Sequence, residues 1–443
     1  MQKFVFLFAS LCFFQVALFS QTELHSSMLP AAEVPQVGRF NPALLPEKGI
    51  VLLLPEVYFE LNGSTTYDDL LRKNASGKTV LDFGNAIKNL APTNNSLTAA
   101  TAFQTLGLTW SVQKNVTISL DHALRSHTTV LYPKAAADIF WNGNAAYVGK
   151  TADLGINLQS TTFHEFGLAA AWRIHEKLRV GARAKYLNGV ADVSTQRSEA
   201  TLFTSDDVYQ LTLKTDYAIN TSNYFDYKNI DSFNFKVRSP FRPTDFFTPN
   251  RGVAFDLGVA FQAHRKLRLA ASVTDLAGAI RWTKNQHNYA SKGTFTYEGL
   301  DLAQVVRADS VNFGNSLDTL AKIFDFRETN AAYSSSLPTR FFISAQYEPS
   351  ERWAFTALAH FQTHRGQLKK AFAAGANWKA LPALRLGASY AWHDDNQHSL
   401  GASVVLKVWK FRIFALTDNV LALFQPYNNL FANGRIGLNF IIR

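Results

Sequence analysis

The chain has 443 residues, with 44 Lys plus Arg against 34 Asp plus Glu and a formal net charge of +10. Its single cysteine, Cys12, lies in an apolar N-terminal stretch, which excludes a disulfide scaffold or a Cys-ligated metal centre in the remainder. Aromatics reach 13% while charged residues are only 18%, and the cations are scattered singly, without a dense patch or a recognition helix. That excludes a nucleic-acid binder and leaves lipid head groups or anionic solutes as partners for the positive charge.

Residues 1–20, MQKFVFLFASLCFFQVALFS, join Lys3 to an apolar run and end in small and polar residues. They read as a secretory signal peptide cleaved near Ser20/Gln21. Leu11 ahead of Cys12 argues against lipid attachment at that cysteine. A proline-bearing stretch follows, with Asn41-Pro42-Ala43 and Pro46, and then an apolar run from Ile50 that Pro55 interrupts. The run is too short for a membrane helix but suits a strand of about 9–11 residues, with Pro55 at a seam or bulge. No later stretch reaches the roughly 18 apolar residues of a spanning helix, so a membrane placement requires a barrel.

Alternation then recurs along the chain. Leu106, Leu108, Trp110 and Val112 share one face, as do Phe166, Leu168, Ala170 and Trp172, and later Val253, Phe255, Leu257 and Val259. The same period of two appears from Trp353 to Phe361, from Leu384 to Trp392 and from Ile436 to Ile442. The opposite face is rich in Gly, Ala, Ser and Thr, with single charges at Glu165, Arg173, Arg179, Arg183, Lys185, Asp256, Arg268 and Arg385. An apolar face for lipid and a mixed polar face for a lumen is the pattern of a transmembrane barrel. Tight charged turns, as at His175-Glu176-Lys177 and His264-Arg265-Lys266, alternate with long connections near 63–102, 127–160, 199–250 and 284–337.

These turns place strands near 49–62, 103–113, 115–126, 161–174, 178–198, 251–263 and 267–283. The second half adds 338–348, 352–363, 369–379, 383–393, 397–408, 410–417 and 434–443. The expected fold is therefore all-β, an antiparallel transmembrane barrel of about 14 strands over residues 49–443. Short helices are expected in two of the long loops, at 133–143 and 316–326.

Candidate sites are few. His122, His360, His393 and His398 have no Ser-centred motif beside them, so no enzyme is expected. The cluster HDDNQH at 393–398 falls at a hairpin, where Asp and Asn serve turn chemistry, so neither a metal nor a cofactor is expected. Arg179, Arg183, Lys185, Arg268 and Arg385 either pair with Glu165 and Asp256 or face a carboxylate or phosphate ligand, and the residues leave both readings open. Asp309-Ser310-Val311 and Asp318-Thr319-Leu320 resemble the short motif that carries O-glycans in exported Bacteroidota proteins.

Asn41-Pro42-Ala43, ahead of the first strand, resembles the Asn-Pro-Ala of FadL-type long-chain fatty-acid and hydrocarbon transporters. Residues 252–278, with Asp-Leu-Gly, a tight basic turn and a later Asp-Leu break, and residues 336–353, with a Leu-Pro lead into a strand, are similar to that superfamily as well. The Phe-rich style resembles its Bacteroidota branch. The resemblance implies a bacterial outer-membrane barrel of fourteen strands with an N-terminal luminal plug, here residues 21–48, in which Asn41, Pro42 and Ala43 are plug and gating elements. It implies a passive channel or transporter for small hydrophobic or amphipathic solutes, with outer-membrane lipids around it. A break in the wall is expected at Asp275, Leu276 and Gly278. The alternative it carries is a non-transporting barrel that anchors or partners a type IX-like secretion or surface-assembly machine. The chain departs from the pattern in its short segment ahead of Asn41 and in ending Phe440-Ile441-Ile442-Arg443 without a terminal aromatic.

Overall fold

The computed structural model describes residues 34–73, 79–113, 115–207, 210–223, 225–226, 234–235, 248–297, 326–365, 367–393, 398–425 and 429–442. The chain first forms β1 (Ile50–Gly63), β2 (Asn95–Gln113), β3 (Val116–Tyr132), β4 (Asn157–His175) and β5 (Leu178–Thr204). Next come β6 (Leu211–Ser222), β7 (Arg251–His264), β8 (Leu267–Trp282), β9 (Gln286–Tyr297) and β10 (Tyr333–Ser336). The last group is β11 (Thr339–Tyr347), β12 (Trp353–His364), β13 (Gln367–Leu381), β14 (Leu384–His393), β15 (His398–Val408), β16 (Phe411–Thr417) and β17 (Phe431–Ile442). All of these except β6, β9 and β10 follow one another in antiparallel pairs, and β17 pairs back with β1. The result is a closed wall of fourteen strands, the number expected from the alternation of short and long connections.

Closure leaves no edge: each wall strand has a hydrogen-bonded neighbour on both sides, which is what hydrocarbon demands. The outward face is apolar, with Leu120, Leu168, Phe255, Ile343 and Ile436 each at least 45% exposed. Trp172, Tyr347, Trp353, Trp378 and Trp409 stand outward at or near the short turns, as an interfacial aromatic girdle does. Pro55 lies where the β1–β17 register shifts between Leu53 and Glu56, a bulge on the strand that closes the barrel. In β2 the register with β3 shifts between Gln104 and Gly107, so Thr105 and Leu106 together stand opposite the single residue His122, a bulge of one residue.

The long connections are more ordered than the sequence implied. A helix spans Lys134–Asn142 with Pro133 as its N-cap, near the expected position. Residues 298–325 lie outside the described residues, and with them the second expected loop helix and both glycan-like motifs. Residues 394–397 of the HDDNQH stretch lie outside them too. β5 is 27 residues long, far beyond the roughly 9–11 that cross a bilayer. Its first part, up to Asn188, pairs with β7; from Asp192 it pairs with β6 instead, and β6 pairs with β9. Asn250, fully buried, ties the change of partner: its Oδ1 accepts from the backbone N–H of Thr283 at 2.9 Å and Lys284 at 3.0 Å. At the far end Arg365 donates to the Thr195 carbonyl at 2.7 Å, so this outer sheet leans across to the β12–β13 turn, several strands away round the wall.

Beneath the outer sheet Asp192 is fully buried and lies well past the spanning part of β5. Thr161 donates to it at 2.6 Å, and the hydroxyls of Tyr333, Ser335 and Ser194 surround it, with Arg365 as the nearby positive charge. Burial raises its carboxyl from 3.8 to about 6 against those hydrogen bonds. The folded state therefore holds the proton more tightly than the unfolded chain. Its contribution to the stability of the outer sheet is fully present below about pH 4 and is lost as pH rises through about 6. Amide exchange in β6 and β10 should accelerate across that window in the unmodified chain, whereas Asp192→Asn should flatten the profile. An identical pH profile in the variant would remove Asp192 from the explanation.

Candidate functional site

The segment before β1 lies inside the barrel. Two short 3-10 helices, Pro35–Arg39 and Pro42–Leu44, begin with prolines whose fixed φ suits a first turn. Asn41 caps the second: its Oδ1 accepts from the Ala43 N–H at 2.9 Å. Its Nδ2 donates to the carbonyls of Val259 at 3.3 Å and Ala271 at 3.1 Å, on β7 and β8. Val34 and Val37 pack with Phe342, Leu358, Val405 and Phe414 on the opposite wall. Ala43 meets Ala260 and Ala270, while Leu45 meets Ala169 and Ala171. Gln36 and Asn439 exchange two amide hydrogen bonds at 2.8 and 3.0 Å. The segment thus touches walls on opposite sides of the lumen and fills the end bounded by the short turns.

Its seat depends on missing side chains. A Cβ on Gly181 would stand 2.3 Å from the Pro42 carbonyl carbon, and one on Gly258 would stand 2.0 Å from Asn41 Oδ1. Gly181→Val should therefore expel the segment without altering it, and single-channel conductance in planar bilayers should rise well above that of the unmodified barrel. An unaltered, silent trace from a correctly folded Gly181→Val barrel would show that the segment accommodates the clash.

Above the segment lies a buried ion cluster. Arg183 holds Asp121 at 2.5 Å and Glu165 at 2.9 Å; Arg125 holds Glu165 at 2.7 Å. Lys185 bridges Asp256 and Asp275, both at 2.7 Å, and Arg340 holds Asp275 at 2.6 Å. From the N-terminal segment Arg39 adds longer contacts, 3.7 Å to Asp121 and 3.4 Å to Glu165. Farther out is an apolar layer of Phe163, Leu187, Ala254, Ile280, Trp282 and Leu337.

The candidate cations divide accordingly. Arg183 and Lys185 are held by carboxylates. Arg179 donates to the Leu45 carbonyl and to Thr117, steadying the N-terminal segment, and Arg268 donates to Gln346 at 2.5 Å. Arg385 faces the lumen near the β13–β14 turn, directly across from Lys379. Asp275 and Ala277 adopt left-handed φ of 58° and 53°, and between them Leu276 points outward. Pairing of β8 with the next wall strand lapses between Thr274–Arg340 and Ala279–Ser336, yet Leu337 N–H bonds the Gly278 carbonyl at 2.8 Å across the interval. The backbone irregularity thus turns the Asp275 side chain into the ion cluster. Of the histidines, His360 stacks on Phe342, His393 meets Ser399 and His398 meets Tyr390, so they are not gathered into one site.

Arg39, Asp121, Arg125 and Arg340 were not singled out from the sequence. Asp121 and Arg125 share the inward phase of Thr117 and Ser119, a signal that alternation does carry. Arg39 had none, because an irregular segment has no period.

The chain was compared with known proteins. Among solved structures it is similar to the toluene transporter TbuX of Ralstonia pickettii, at 10% identity and a TM-score of 0.42, covering 92% of this chain and 94% of that one. It is similar to a FadL homologue of Pseudomonas aeruginosa, at 10% identity and a TM-score of 0.45, covering 95% and 97%. The toluene transporter TodX of Pseudomonas putida gives 9% identity and a TM-score of 0.40, covering 90% and 89%. No curated protein matches. A family model does match, over residues 42–418, from Pro42 to just past the end of β16, and by that match the chain belongs to the family of unknown function DUF5723.

Proposed function

We propose that this is a bacterial outer-membrane channel for small hydrophobic or amphipathic solutes, gated by its own N-terminal segment. The observation that carries the reading is the charge balance of the lumen. The wall contributes four cations (Arg125, Arg183, Lys185, Arg340) and four carboxylates (Asp121, Glu165, Asp256, Asp275) to the cluster. Arg39 is a fifth cation at longer distance. When the segment withdraws, the wall cluster stays neutral, so withdrawal leaves no charge of the cluster unbalanced. A permanent structural strut would not need that property.

The solute class follows from the apolar layer outside the cluster. Barrel lumens are ordinarily polar, whereas Phe163, Leu187, Ile280 and Trp282 close the lumen here as a packed, fully buried apolar layer, so a solute that parts it meets apolar side chains. Asn41, Pro42 and Ala43 serve as the seat of the gate. Liposomes containing the purified chain should admit a C16 carboxylic acid or a small hydrocarbon and exclude a sugar. Removal of residues 34–47 should let both pass. Liposomes that admit neither apolar probe, with the barrel folded, would defeat the reading.

A further inference from the structure

A cavity of about 890 Å³ lies on the outside of the wall, away from the lumen. Six neighbouring strands each send an outward side chain to it: Leu52 from β1, Leu106 from β2, Leu120 from β3, Phe166 from β4, Tyr186 from β5 and Phe255 from β7. Five strand spacings amount to roughly 24 Å of wall. On a convex cylinder outward side chains that far apart diverge and share no cavity, so the wall is concave here.

The lumen side supplies the cause. Four of these strands, β3, β4, β5 and β7, are drawn together by Asp121–Arg183–Glu165 and Lys185–Asp256, and Gly107 on β2 and Gly167 on β4 leave room to close. At Gly167 an added Cβ would stand 2.3 Å from the Arg183 guanidinium, which lies flat against the wall.

The dent is polar at one end. Thr105 Oγ1, thrown outward by the β2 bulge, meets His122 Nδ1 at 2.8 Å, and His122 Nε2 meets His164 Nδ1 at 3.1 Å. On the short-turn side of this line the outward positions are Leu120 and Leu168; beyond it comes Leu124, packed with Val190, Ala191 and Val193, and then Ser126, Thr128, Ser160 and Thr162, hydrogen-bonded in pairs. The imidazoles therefore stand next to the level at which the outward positions turn from apolar to polar. Polar groups at such a level in a membrane wall are expensive unless they have a partner or a role.

The ion cluster stands between the dent and the lumen, and its Asp121 and Lys185 belong to the lining of the dent. β3 and β4 pair without a break from Val116–Trp172 to Leu131–Asn157, and the ion cluster stands behind them. An occupant must come from the bilayer and return to it.

We infer that this dent holds one acyl chain of a membrane lipid, its methylene tail against Leu106, Leu120 and Phe255 and its ester region at Tyr186 and His122. The site rests on the membrane placement of the barrel and is independent of the uptake reading. The full chain in phosphatidylcholine vesicles doped with a phosphatidylethanolamine bearing a diazirine in one acyl chain tests it. After irradiation, adducts should concentrate on peptides carrying Leu106, Leu120 and Phe166 by about tenfold over those carrying Leu386 and Val404 on the far wall. Ala184→Trp, an outward change that fills the dent, should remove the excess, while Ala388→Trp on the far wall should not. His122→Leu, which keeps the apolar volume but loses the polar end, should reduce the excess severalfold. Even labelling around the barrel, or an excess untouched by Ala184→Trp in a folded barrel, would mean ordinary boundary lipid and overturn the inference.

Discussion

Oxidised Asn41→Cys/Gly258→Cys protein should admit no apolar solute into liposomes, and adding dithiothreitol to the same vesicles should restore entry. An ideal Cβ at Gly258 lies 2.9 Å from Asn41 Cγ. Since Cγ is one bond from Asn41 Cβ, the two Cβ atoms fall about 3.0–4.4 Å apart, a range that covers the usual disulfide separation of about 3.8 Å. With its single cysteine at Cys12, in the expected signal peptide, the mature chain offers no competing thiol. The reduced form loses the Asn41 bonds to Val259, Ala271 and Ala43, each worth about 1 kcal/mol. Its gate should therefore rest more loosely than in the unmodified chain. The expected difference is between no flux and flux above the unmodified rate, so the readout is large. Equal solute entry in the two redox states would show that the N-terminal segment is not the gate.

Arg183→Met should lower barrel stability by about 3–5 kcal/mol, read as a fall in the urea midpoint of unfolding from lipid. Arg183 is the close partner of Asp121 at 2.5 Å and also holds Glu165, and all three side chains are almost entirely out of water. Deleting the guanidinium strands Asp121, whose remaining cation is Arg39 at 3.7 Å. Arg39→Met alone should cost less than about 1 kcal/mol, because the wall cluster balances without it and its contacts are long. In the Arg183→Met background, however, Arg39→Met should cost more than it does alone, since Arg39 then carries Asp121. Such coupling is the signature of a shared network. If Arg39→Met alone proves as damaging as Arg183→Met, the segment is a structural part of the cluster and the gating argument fails.

Much of the wall was legible because a strand repeats every two residues and its face is set locally. Leu120 outward and Asp121 inward follow from neighbours in sequence, and so do the tight turns at His175 and His264. The candidate cations Arg179, Arg183, Lys185 and Arg268 were placed correctly on the inner face for that reason. What each one touches was not legible. Arg183 meets Asp121 from two strands away, and Arg340 meets Asp275 across a gap of 65 residues. Register and closure decide such pairs, and no local pattern encodes them.

The connections at 199–250 and 284–337 show the opposite limit. They read as loops because their alternation is weak, yet β6 forms there by pairing with the outer half of β5, and β9 by pairing with β6. Neither strand has a continuous apolar face: Thr215 and Ser291 are buried against each other while Lys214, Lys292, Thr294 and Thr296 are exposed, so the sequence gives little sign of them.

By itself, then, the sequence determined that this is a charge-poor chain of about fourteen alternating strands whose apolar face meets lipid. Period two and turn length are local properties, and they suffice for that. Only the tertiary structure decided that residues 34–45 fill one end of the lumen, that wall charges cancel without Arg39, and that the wall bends inward beneath His122. Each of these depends on groups far apart in the chain meeting at distances of 2.5–4 Å, where Coulomb energy and packing become large and sequence spacing says nothing.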